Sequence, residues 1–135
     1  TSTLDAEGKL TSALLNVIST DVIKIYLSSG HSETALDSGM TDLLIKANIE
    51  YETKRLDGVD AVPSDCDILM INGPTSDFTE KEVVMVTDYM EKGGNVIFFL
   101  NGSVQKTLPN YYSLLSKYGM NVIDKTVPIY VVLLK

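Results

Sequence analysis

The chain has 135 residues, 44% of them hydrophobic and 21% charged, with a formal net charge of −7. That size and apolar content suit one domain spanning residues 1–135, and acidity without a basic stripe argues against nucleic acid and against anionic membrane surfaces as partners. A single cysteine, Cys66, excludes an internal disulfide framework, and the longest apolar stretch, Ile129–Leu134, is far shorter than the roughly 20 residues of a membrane-spanning helix.

Leu10, Leu14, Val17 and Ile18 share one face at helical spacing, so Asp5–Ser19 is predicted as a helix with Asp5 as its N-cap. The opening Thr1-Ser2-Thr3-Leu4-Asp5 has neither the basic flank nor the apolar core of a signal peptide, and the chain reads as a segment of a longer protein. Val22–Leu27 is the first apolar strand and breaks into Ser28-Ser29-Gly30-His31-Ser32-Glu33. Met40, Leu43, Leu44 and Ala47 then mark the inward face of a helix ending near Asn48, and Tyr51–Leu56 reads as a more polar strand towards the edge of the sheet.

Asp57-Gly58 and Val62-Pro63-Ser64 make a loop leading to the buried strand Ile68–Ile71, which ends in Asn72-Gly73-Pro74-Thr75-Ser76. Thr79-Glu80-Lys81-Glu82 is a capping box that opens a helix with Val83, Val86, Tyr89 and Met90 inward, stopped by Gly93-Gly94. Strand Val96–Leu100 runs into Asn101-Gly102-Ser103. A shorter helix, Asn110–Tyr118, buries Leu114 and Leu115 and ends at Gly119, and Met120–Ile123 and Val127–Leu134 are the last strand candidates. Alternating strands and helices predict an α/β fold with a mainly parallel sheet. Its carboxyl edge gathers the loops after the first, third and fourth strands, with the first and third adjacent at a switch point.

Several stretches in this order resemble the extracytoplasmic auxiliary component of gliding-motility-type ABC transporters. They are Lys9–Leu14 leading into Ile25–Glu33, Asp67–Pro74, Asp88–Val96, Leu108-Pro109-Asn110 and Leu114–Met120. The resemblance implies a flavodoxin-like, class I glutamine amidotransferase-like three-layer sandwich. It also implies a bacterial domain held outside the cell by membrane anchors beyond this segment, where it binds a partner or ligand beside a permease and ATPase and performs no catalysis.

Amidotransferase-like enzymes place a cysteine on the elbow after the third strand. Here the elbow is Asn72-Gly73-Pro74, with no thiol or hydroxyl and with a proline that lacks an N–H, while Cys66 precedes the strand at its other end. The candidate binding rim is therefore Ser29, Gly30, His31 and Glu33 facing Asn72, Gly73 and Pro74, with Asn101 and Gly102 alongside. His31 is read first as a loop histidine fixing the turn after Gly30 and second as a ligand contact. A displaced Ser29 or Ser32 with His31 is the hydrolase alternative, and a sugar or carboxylate receptor the third reading.

No phosphate-cradle motif and no cofactor signature is present, and His31 with Glu33 supplies too few ligands for a metal. Asp57, Asp60, Asp65 and Asp67 read as an acidic, solvated loop patch. Tyr111, Tyr112 and Tyr118 are either an exposed aromatic surface or partly buried residues at helical spacing.

Overall fold

A computed structural model describes residues 21–101 and 107–122 and the backbone of a final strand at 130–133. The predicted helix at 5–19 and the candidates Gly102 and Ser103 lie outside the described residues. β1 (Lys24–Ser29), β2 (Glu50–Arg55), β3 (Ile68–Asn72), β4 (Asn95–Phe99) and β5 (Tyr130–Leu133) form one sheet in the order β2-β1-β3-β4-β5. The first four strands are parallel and β5 is antiparallel to β4. α1 (Ser38–Lys46) links β1 to β2, α2 (Glu80–Glu91) links β3 to β4, and α3 (Pro109–Ser116) follows β4.

Side-chain alternation divides the core between the two faces of the sheet. Tyr26, Leu69, Ile71, Val96 and Phe98 meet Val83, Met85, Val86 and Met90 of α2 and Tyr111, Leu114 and Leu115 of α3. Ile25 and Met70 meet Leu44 of α1 on the opposite face. The expected three-layer, mainly parallel α/β architecture is thus observed, in an arrangement consistent with a flavodoxin-like fold. Because α1 runs back to β2 on one side of β1 while β3 lies on the other, the loops after β1 and β3 part at a switch point.

Two helices start for a local reason and the third on a distant cap. Asp37 caps α1 by accepting from the Met40 N–H at 2.8 Å. The capping box of α2 is complete, with Thr79 Oγ1 accepting from the Glu82 N–H at 3.3 Å and the Thr79 N–H donating to Glu82 Oε2 at 2.8 Å. α3 begins at Pro109, and its free N–H groups at Asn110 and Tyr111 donate to the Asp77 carboxylate at 3.1 and 3.0 Å. Gly93 at φ +93° and Gly119 at φ +80° sit where α2 and α3 give way to the following turns.

The structure corrects three sequence expectations. On α1 only Leu44 is buried. Leu43 stays 63% exposed, and Met40 and Ala47 also face solvent, because the helix meets the sheet through a single side chain. Tyr111 is fully buried, its hydroxyl donating to the Phe99 carbonyl at 3.0 Å, so it belongs to the core. Residues 120–122 form no strand. The acidic loop is solvent-exposed as expected, and within it the structure adds individual pairs: Asp57 with Arg55 at 2.6 Å, Asp60 with Lys81 at 2.6 Å, and Asp65 with Lys24 at 2.7 Å. Asp67 accepts instead from the Lys24 backbone N–H at 2.8 Å.

Tyr89 is half-buried because its ring lies across the backbone at Gly94. A Cβ added there would stand 2.4 Å from the ring, while the hydroxyl donates to the Cys66 carbonyl at 3.1 Å. Gly94→Ala should therefore destabilise the chain by about 1–3 kcal/mol. In a urea-unfolding cycle with Tyr89→Ala, the double variant should lose less than the sum of the single losses.

Candidate functional site

The loops after β1 and β3 are laced together at the carboxyl edge. The Thr34 N–H donates to the Asn72 carbonyl at 2.8 Å, and Asn72 Nδ2 donates to the Thr34 carbonyl at 2.6 Å. The N–H groups of Thr75 and Ser76 both donate to the His31 carbonyl, at 3.0 and 3.1 Å. The end of β4 joins through Gly73, whose N–H donates to the Phe99 carbonyl at 3.1 Å. Gly73 has φ +59°, and a Cβ there would stand 3.2 Å from that of Asn101, so glycine serves both the turn and the close approach.

A buried charged cluster lies beneath these loops. The His31 imidazole, 6% exposed as a residue, has Nε2 at 3.2 Å from Glu82 Oε2 and Nδ1 at 3.7 Å from Glu33 Oε1. The longer contact exceeds hydrogen-bond length, so Glu33 acts on the ring through charge. Glu33 itself accepts from Ser28 Oγ at 2.9 Å and from the His31 N–H at 2.8 Å. That second bond closes a tight turn in which Ser32 takes the left-handed conformation, φ +53°. Glu82 accepts from Thr79 Oγ1 at 2.7 Å, and the ring of Phe78 packs 4.4 Å from the imidazole.

The neighbouring Glu33 carboxylate is the largest influence on His31 and raises its pKa; burial opposes this and the Glu82 charge reinforces it. Burial alone would raise the Glu33 carboxyl, but the His31 ring, the His31 N–H and Ser28 together hold it below its ordinary value. Both shifts run in the direction that favours the charged His31–Glu33 pair over the free side chains.

The candidate residues separate into three sets. Ser29, Gly30, Glu33 and Asn72 line a half-open cavity of about 250 Å³ together with Thr34, Leu36 and Thr53. His31 lies below it as a support, in keeping with its reading as the residue that fixes the turn. Gly73 and Pro74 are buried, and Gly73 meets Asn101 where the second and third loops cross. Sequence reasoning missed Ser28, Thr53 and Glu82. The capping box was a signal for Glu82, since its carboxylate must turn back towards the N-terminus of α2, but nothing local identified His31 as its neighbour. Among the described residues, no group of three or more His, Cys, Asp or Glu is arranged to hold a metal ion.

Comparison with known proteins gives one family: the model described as "ABC-type uncharacterized transport system", for an auxiliary component, matches residues 23–125. No curated protein and no solved structure matches the chain.

The cluster predicts a pH profile. A raised His31 pKa contributes stability that is complete below the unfolded value of 6.5 and is lost as pH rises through the folded value. A lowered Glu33 pKa contributes stability present above 4.5 and lost as pH falls through its folded value. Thermal unfolding should therefore show an alkaline decline that His31→Gln flattens. His31→Ala, which leaves two buried carboxylates without their cation, should cost about 3–5 kcal/mol by urea unfolding at pH 6.

Proposed function

The chain belongs to this family of ABC-type transport auxiliary components, and from that premise we propose that it is a non-catalytic, extracytoplasmic recognition domain. In this reading it is a class I glutamine amidotransferase-like sandwich of the gliding-motility type, anchored by segments outside residues 1–135. It docks a protein partner on the carboxyl-edge rim and couples that contact to the permease and ATPase.

The observation that carries the proposal is the elbow after β3. An acyl-transfer site needs a nucleophile there and free backbone N–H groups aimed at the developing oxyanion. Here Asn72 bonds to Thr34, the Gly73 N–H is occupied by Phe99, and Pro74 has none to give. The elbow uses its hydrogen-bonding groups to bind three loops into one stiff rim. A stiff rim suits docking, because little ordering entropy remains to be lost on contact. The cavity volume supports a protein over a small molecule, since about 250 Å³ is below the roughly 300–1,000 Å³ common for enclosed small-ligand sites.

A photoreactive amino acid placed at Ser29 in the full-length protein, expressed with its transporter, should crosslink to a transport component. The same group at Leu43, on the exposed face of α1, should not. Equal crosslinking from both positions would remove the rim from the account. Labelling of the folded domain by a fluorophosphonate, abolished by Ser29→Ala or Ser32→Ala, would replace the proposal with a serine hydrolase.

A further inference from the structure

The opposite, amino edge of the sheet carries a larger cleft, about 490 Å³, between the 60–66 loop, the last turns of α2 and the start of β4. Val62, Cys66, Met85 and Tyr89 give it an apolar lining, and Asp67 and Asp88 add carboxylates, that of Asp67 also accepting from the Lys24 N–H at 2.8 Å. Tyr89 is a fixed wall, held between the Gly94 backbone and the Cys66 carbonyl. We propose that this cleft docks a basic segment of a partner polypeptide, a lysine or arginine flanked by apolar residues.

Three features favour a cation with an apolar body. The C-terminal end of α2 opens onto the cleft, where the helix dipole is negative; its last turn holds no basic residue, and Lys92 stands just after it as the C-cap. Asp67 and Asp88 add two carboxylates, and a third lining acid, Asp60, is already neutralised by Lys81 at 2.6 Å. Among the described residues that line the cleft, Lys92 is the one opposing cation. The apolar floor then accepts the flanking side chains, or the methylene stem of the lysine itself. The volume exceeds a single side chain and leaves room for its apolar neighbours, and a polypeptide is chosen over a free amine on the kind of partner such a component meets. This choice rests on the family reading, since an auxiliary transport component works through contact with other proteins.

The test is a ¹H–¹⁵N titration of this chain with acetyl-Leu-Lys-Leu-amide at millimolar concentration, repeated with norleucine in place of the lysine. Saturable shifts are expected at the amides of Cys66, Tyr89, Gly94 and Asn95, at least about five-fold weaker with the norleucine peptide. Asp88 is exposed and on the rim, so Asp88→Asn should leave the urea midpoint unchanged and weaken the lysine peptide roughly two- to five-fold, the size of an exposed ion pair. Equal affinity for both peptides, or amino-edge amides that do not move, overturns the proposal. Shifts confined to Ser29, Gly30 and Asn72 also overturn it while leaving the carboxyl-edge rim in place. A failed crosslink from Ser29 beside saturable amino-edge shifts would count against the rim alone.

Discussion

One buried imidazole settles how the carboxyl edge is built. His31 leaves β1 on a loop that has no helix or strand of its own, yet its ring sits against Glu82 on α2 and beside Glu33 on its own loop. Placing two carboxylates in a site this dry is costly without a partner between them, and the raised pKa of His31 is the response of the ring to that demand. Glu82 is 1% exposed, so the first turn of α2 has no solvated alternative for it. The loop must come to the helix or the helix must give up its capping box.

Holding His31 in place fixes much else. Its carbonyl receives the Thr75 and Ser76 N–H groups, so the turn after β3 takes its position from the turn after β1. Its ring packs on Phe78, Phe78 packs on Tyr111, and the Tyr111 hydroxyl reaches the Phe99 carbonyl. The adjacent Gly73 N–H ends on that same carbonyl. Three loops thus become one surface through a chain of contacts that starts from a charge and ends in the aromatic core. The same contacts engage the Gly73 N–H with the Phe99 carbonyl and the Ser28 hydroxyl with Glu33.

What was legible in the sequence follows the range of the interactions. The strand-forming runs, the capping box and the glycine stops rest on neighbours within a few residues and are all present, although β1 is shifted two residues on, to Lys24–Ser29, and takes in Ser28 and Ser29 of the expected loop. The α1 face failed because helical spacing identifies an apolar stripe and not how much sheet lies beneath it; only Leu44 reaches Ile25 and Met70. Tyr111 and Tyr112 were indistinguishable by type, and their difference arises from α3 being turned by its cap on Asp77, 33 residues from Asn110. The acidic loop dispersed for the same reason, since Lys24 and Lys81 come from distant positions to claim single carboxylates. Within the candidate site, loop membership was readable, whereas the depth of His31 and its tie to Glu82 depend on a contact between residues far apart in the chain.

α2 joins the two edges of the sheet. Its N-terminal turn grips His31 under the carboxyl-edge rim, and its C-terminal turn lines the amino-edge cleft. Twelve residues at 1.5 Å each give a rod of roughly 18 Å. Val83, Val86 and Met90 bury this rod against the sheet along its length, so it has no hinge at which to bend. A body of that kind conveys force by moving as a unit, because a change of internal shape would have to break either the charge cluster at one end or the Tyr89–Gly94 contact at the other. Partners seated on the two edges would be held at a fixed separation and orientation.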